Sequence, residues 1–352
     1  MRRRDTLRAG GSAVLLALAG CLGGDGESSE PESNDPLPPW SRDGAVYHPG
    51  HMRGMSMLDS ARRGRRMVAL TYTYTERFWT VSGRHTTRVG VESEYNAIHL
   101  MASVWDAQRG TVLPVDSGLS VTVLQDGEQL RAPVALWPML SQQMGFHFGD
   151  NLGFPEQGEY TLRVNIGETT VRRPDGSETR YDRGGPLEFD FEFQRVTRNR
   201  IPISKNFDVR GERTAVAPME MGAMPLSVAP STEELPGRVV GAGTSGDAEF
   251  VVTAAEHERG TYLTVSPRTP HNRFVLPLMS LSMRVNRAGT TVFEGPLPAT
   301  VGPDRRYHYG AVVDGFEPGD ELSVSVDAPP QAARHAGYET AFLEMPDVTM
   351  TV

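Results

Sequence analysis

Along most of the chain, apolar and polar side chains alternate in short runs that Gly, Pro, Asp or Asn interrupt. Leu119 to Leu124 stops at Asp126-Gly127, and Tyr160 to Ile166 stops at Gly167. A two-residue period rich in β-branched residues, closed by DG-type turns, predicts antiparallel strands. Residues 67 to 80 predict one or two more strands, and amphipathic helical spacing is hard to find anywhere. On the strand running from Ile98 to Trp105, alternation sends Ile98, Leu100, Ala102 and Val104 to a core. His99, Met101, Ser103 and Trp105 face the other way.

The pattern repeats. Ile98-His99-Leu100-Met101-Ala102-Ser103 aligns with Thr261-Tyr262-Leu263-Thr264-Val265-Ser266, an offset of 163 (262 against 99), with no gap. Farther on, Phe146-His147-Phe148-Gly149 meets Tyr307-His308-Tyr309-Gly310, and Gly153-Phe154 meets Gly315-Phe316. These matches predict an all-β protein of two tandem immunoglobulin-like antiparallel β-sandwich domains from an internal duplication. The expected organisation is a sandwich over 44–196, a Pro-, Gly- and Met-rich linker over 197–245, and the repeat copy over 246–352.

The beginning of the chain reads as targeting sequence. Arg3-Arg4-Asp5-Thr6-Leu7-Arg8 fits a twin-arginine export signal, and the apolar run from Ala13 to Ala19 is too short to span a bilayer. Leu18-Ala19-Gly20-Cys21 resembles a lipoprotein processing box. The expectation is a signal over 1–20, lipid on Cys21 and a disordered tether over 21–43, placing the protein on the outer face of the cell membrane. An ordinary signal peptide with an incidental cysteine is the competing account.

Composition narrows the chemistry. Cys21 is the only cysteine, so intramolecular disulfides, thiolate metal sites and cysteine nucleophiles are excluded. A net charge of −9 argues against a nucleic-acid partner. Lys205 is the only lysine among 35 basic residues, and acid excess with almost no Lys suits a halophile, with a lean towards a halophilic archaeon. There is no Gly-x-Ser-x-Gly elbow, no His-Glu-x-x-His and no Gly-rich phosphate loop. The expected role is therefore not enzymatic.

Any bound metal must be held by His, Met and carboxylate. His99 and Met101 share one strand face, and imidazole with thioether suits copper and other late transition metals. Met139, Met144 and His147 follow within nine residues on a hairpin or loop, with His147 offered from a dry, rigid edge. An exposed His beside a Met that merely fills core space is the alternative for each pair. A third cluster, His48-Pro49-Gly50-His51-Met52-Arg53-Gly54-Met55, resembles a copper-capturing arm; a flexible segment without a role is the alternative there.

His99-Leu100-x-Ala102, Pro138-Met139 followed by His147-Phe148-Gly149, and Gly158-x-Tyr160-x-Leu162 together resemble the periplasmic iron-transport protein family. That resemblance, over roughly 95–170, implies a sandwich that binds Fe²⁺ or copper through His99, Met139 and His147 and assists a membrane metal permease. The family's acidic residue two after the first His is replaced by Met101, which implies a softer site with Met101 and Met144 nearby. Its late Arg-His segment has no match in the first copy, where Arg172-Arg173-Pro174-Asp175 stands; the second copy offers Arg334-His335 and, separately, His308. His48, His51, Met52, Met55, His308 and His335 are therefore auxiliary ligand candidates, with the set split between copies. The competing reading is a non-catalytic cell-surface tandem sandwich that binds a protein or polysaccharide.

Overall fold

A computed structural model describes residues 45–91, 95–220, 222 and 224–352, all within one compact unit. The expected signal, the tether and Cys21 lie outside the described residues. The alternation seen in the sequence does fold as strands. Leu187–Phe193 buries every second side chain, and Asp126 and Gly127 both take positive φ (51° and 81°), as a tight hairpin turn requires. Among the described residues no helix is long and apolar enough to cross a membrane.

The first half is a sandwich of a nine-stranded and a five-stranded sheet. The large sheet runs Ser56–Arg63, Arg66–Thr73, Ala97–Asp106, Gly145–Gly153, Trp137–Ser141, Ala333–Arg334, Phe78–Ser82 and His85–Val89, with Thr111–Val112 attached to Ala97–Asp106. Leu70, Leu100, Phe146 and Phe148 on its inner face pack with Val121, Leu162, Val164 and Phe189 of the smaller sheet. The second half pairs a five-stranded sheet with a four-stranded one. In both halves a corresponding triplet of strands is adjacent: Ala97–Asp106, Gly145–Gly153 and Trp137–Ser141 in one, and Gly260–Arg268, Arg306–Val313 and Ala299–Gly302 in the other.

Three features differ from the sequence expectation. Arg238–Ser245, inside the stretch read as linker, is a strand of the second half's larger sheet. The segment read as a capturing arm or flexible stretch is built into structure, with His51–Arg53 pairing antiparallel to Ile203–Lys205. Most consequentially, Ala333–Arg334 leaves the second half and inserts between Trp137–Ser141, to which it is parallel, and Phe78–Ser82. All ten residues of Ala97–Asp106 are buried; on the outer face Met101 and Trp105 pack with Met55 and Met224, and His99 meets the His335 ring edge-on.

Gln142 ties these pieces together. Its side-chain amide donates to the carbonyls of Tyr47 (2.9 Å) and Gly337 (3.3 Å) and accepts from the Val216 N–H (2.8 Å). Gly337 sits at φ 91°, and a Cβ there would come within 2.4 Å of Gln142 Nε2, so only glycine allows the approach. Replacing Gln142 with Leu keeps the volume but removes the acceptor of the Val216 N–H and the amide donor to the Tyr47 carbonyl, and should lower unfolding free energy by about 1–3 kcal/mol. A urea midpoint equal to that of the unchanged protein would count against this tie.

Candidate metal centre

Strand register builds the site on the outer face of the large sheet. Met139 lies directly opposite His147, and Asn151 opposite His99, so that His99, Met139, His147, Gly149 and Asn151 share one face. Leu100, Leu140, Phe146 and Phe148 fill the sandwich core behind them. The strand carrying His147 lies between two others, so this imidazole comes from the middle of the sheet and not, as expected, from an edge. His335 follows the inserted strand Ala333–Arg334, where its backbone N–H reaches the Leu140 carbonyl at 3.2 Å. The buried Arg334 guanidinium holds that turn by donating to the carbonyls of Ala332 and Pro330.

His99, His147 and His335 bring their ligand nitrogens within 4.8 Å of one another. Met139 Sδ is 3.2 Å from His335 Nε2. Hydrogen bonds decide which nitrogen of each ring faces the centre. Asn151 is locked by the backbone of Glu76, accepting from its N–H (3.0 Å) and donating to its carbonyl (2.8 Å). Its oxygen therefore faces His99 Nδ1 at 3.1 Å, which must carry the proton. His147 Nδ1 meets the Gly145 carbonyl at 3.1 Å, and His335 Nδ1 meets Glu76 Oε2 at 2.9 Å; both acceptors again demand Nδ1–H. The Nε2 atoms of all three rings point inward, that of His335 towards Met139 Sδ. Those of His99 and His147 are buried with no hydrogen-bond partner.

Gly149 makes the space. A Cβ at this position would stand 3.0 Å from His99 Nε2 and 3.1 Å from Met139 Sδ. A transition ion bonds imidazole nitrogen at about 2.0–2.1 Å, so the three rings need close by only about an ångström to share one. Three imidazoles and a thioether are ligands suited to copper and iron. Behind them, Glu76, Asn151 and the Gly145 carbonyl are the outer partners that fix ring orientation.

Burial favours neutral rings at His99 and His147. Burial, then the charge of His335, lowers the His99 pKa to about 4, and the same two causes hold His147 well below the ordinary range. Burial favours the neutral form of Glu76, but the His335 hydrogen bond and charge, with Arg53, outweigh it and pull the carboxyl down to about 2.

Of the residues singled out in the sequence, His99, Met139, His147 and the auxiliary candidate His335 come together. Met101 and Met144 do not join them; they pack with Ala69, Trp105 and Met224 in an apolar cluster, apart from the one that holds Met139 with Phe78 and Ala333. His335, an auxiliary candidate in the sequence, stands with His99, Met139 and His147. His48 bonds the Pro49 carbonyl through Nδ1, and His51 packs edge-on against Phe207. Met52 Sδ accepts from Asn206 Nδ2, and Met55 lies against the apolar cluster. His308 has both nitrogens engaged, Nδ1 by the Arg306 carbonyl and Nε2 by the Tyr262 hydroxyl at 3.0 Å. Tyr262, Thr300 and His308 occupy the positions that His99, Met139 and His147 hold in the first half.

Glu76 and Asn151 were not anticipated. Each meets an imidazole side chain to side chain, Asn151 at His99 and Glu76 at His335, and only the fold brings those pairs together, although Glu76 stands just past Thr73, which pairs with His99.

A family described as a domain of unknown function, DUF7350, matches residues 233–351, the part that supplies His335. No curated protein is similar enough in sequence to match. Among solved structures, a copper-bound variant of FetP from uropathogenic Escherichia coli is similar at a TM-score of 0.32 and 16% identity, covering 40% of this chain and 97% of that one. The as-isolated form of FetP from uropathogenic Escherichia coli, expressed recombinantly in the E. coli periplasm, gives 0.29 and 14%, covering 41% and 95%.

Two outcomes are expected. Gly149→Ala should fold yet bind metal more weakly, seen as a right-shifted titration with an unchanged circular dichroism spectrum; wild-type affinity would show that the space is not used. Unfolded imidazoles protonate near 6.5, whereas His99 and the buried His308 wait until about 4. Between those values the unfolded chain holds more protons, so stability falls as pH drops through the window. Asp150, raised to about 6 by burial, works the other way but is one group against three imidazoles. Metal-free protein should lose on the order of 1–2 kcal/mol per imidazole between pH 7 and 5. Denaturant midpoints that stay flat over this range would contradict it.

Proposed function

We propose that the protein is a lipid-anchored, extracytoplasmic metal-binding protein that captures Fe²⁺ or copper and passes it to a membrane permease. The ligands are His99, His147, His335 and Met139. The main support is the pair of buried, partnerless Nε2 atoms of His99 and His147, each ring having turned its Nδ1–H to an outer acceptor. A buried acceptor without a donor costs about 1–3 kcal/mol, and lone pairs facing one another repel further. A cation converts each of these costs into a bond.

The donor types favour a late transition ion, imidazole suiting copper and iron and thioether favouring Cu(I). Capture, not turnover, fits four protein donors around one point, since catalytic centres keep a position open for substrate. The Glu76 carboxylate behind His335 balances part of the ion's charge without bonding it. Anchoring through Cys21 and delivery to a permease extend the reading made from the sequence.

Anaerobic titration with Fe(II) and with Cu(II) should show one tightly bound ion per chain. Glu76→Gln should weaken binding about 10–100-fold, as loss of an outer partner does, and His335→Ala by more than that. Undiminished affinity in His335→Ala would reject this ligand set. Saturating metal at about 100 times Kd should also add about 2.7 kcal/mol to stability.

A further inference from the structure

The candidate centre is closed on every side. His99 and Met139 are 0% exposed, His147 1% and His335 6%. A close-packed interior gives an ion no passage unless side chains move. The cavity of about 60 Å³ beside the centre touches His335 and Ala336 but not His99, Met139 or His147, and Arg53 stands in its wall. The charge of that guanidinium opposes the passage of a metal cation.

One short piece of chain lies over the other three ligands. The His335 ring stacks on His147, with centroids 5.2 Å apart and planes at 30°, and meets His99 edge-on, also at 5.2 Å. Ala333, opposite Met139 in register, packs with it and Phe78. This piece is held more lightly than the strands beneath it. Ala333–Arg334 is two residues long, whereas His99 and His147 ride on strands of ten and nine residues that are paired on both sides. The fully buried Arg334 guanidinium bonds carbonyls of its own stretch, Ala332 and Pro330, so these residues hold together as one piece. Lifting them would return a buried charge to water. At the near end Gln331 ties the piece down, its amide accepting from the Gly83 N–H and donating to the Gly83 carbonyl, each at 2.9 Å. Short, lightly paired segments open locally at lower cost than the core of a sheet.

We propose that residues 330–337 form a strap that lifts as a unit, carrying His335 off the sheet, and that this opening gates uptake and release of the ion. The inference rests on the metal-binding reading of the centre and says how its ion exchanges. With the strap lifted, His99, Met139 and His147 are uncovered; closure brings His335 onto the ion as the last ligand. Each step is ligand substitution without a change in oxidation state. Loosening the strap weakens the closed form equally with and without metal, so uptake and release quicken by the same factor and affinity stays put. Damage to a ligand would change affinity instead.

Gln331→Ala is the test variant, because it removes both side-chain bonds to Gly83 and touches no ligand or outer partner. Protein loaded with Cu(II) and mixed with excess EDTA should release the ion at a rate independent of EDTA concentration. Gln331→Ala should raise that rate and the uptake rate together, by about 3–10-fold, with unchanged affinity. In metal-free protein the His335 amide should exchange with deuterium faster than the amides of Ala97–Asp106. Release in proportion to EDTA, rates that Gln331→Ala does not move, or equal protection at His335 and Ala97–Asp106 would overturn the gate while the ion still binds. A chain that takes up no Cu(II) at all would reject the metal-binding reading, and the gate with it.

Discussion

Everything at the candidate centre depends on where three protons sit. Each imidazole is held in a dry setting by an acceptor that takes its Nδ1–H: a side-chain amide, a backbone carbonyl and a carboxylate. The opposite nitrogens of His99 and His147 are therefore bare, and the protein interior around them supplies no donor. If Asn151 were turned over, or Glu76 protonated, a ring could flip its proton inward and the cluster would become self-satisfied. The bonds between Asn151 and the Glu76 backbone prevent the first, and the depressed Glu76 pKa prevents the second.

The centre also depends on chain topology. His335 is more than 180 residues beyond His147 in sequence, yet they are neighbours because Ala333–Arg334 inserts into the first half's sheet. One parallel pairing among mostly antiparallel strands sets its depth, placing Ala333 opposite Met139. Gln142 and the turn at Gly337 then fix the loop beyond it. Metal held here would bridge the two halves, so binding and the integrity of their junction are thermodynamically linked.

Much of this was legible in the sequence. A two-residue period puts His99 on the face opposite Leu100, and His147 opposite Phe146 and Phe148, whatever surrounds them. The Arg334-His335 segment stood out by its similarity to a motif missing from the first copy. Spacing places Met101 beside His99 but cannot say how far a side chain leans, and Met101 packs with Trp105 and Met144 in a cluster of its own. Glu76 and Asn151 were invisible because Glu76 sits in a loop far along the chain from both His335 and Asn151, and only folding brings the three together. The inserted strand is two residues long, too short for any periodicity to register.

The second half offers an internal comparison. There a phenol stands in for the first imidazole, and Tyr262 donates to His308 Nε2, while His308 Nδ1 still bonds the carbonyl two residues back. The same framework can thus be sealed by swapping one ring for a hydroxyl-bearing one. An unanswered nitrogen is not an unavoidable by-product of this arrangement of strands, and the first half has kept open what its counterpart has shut.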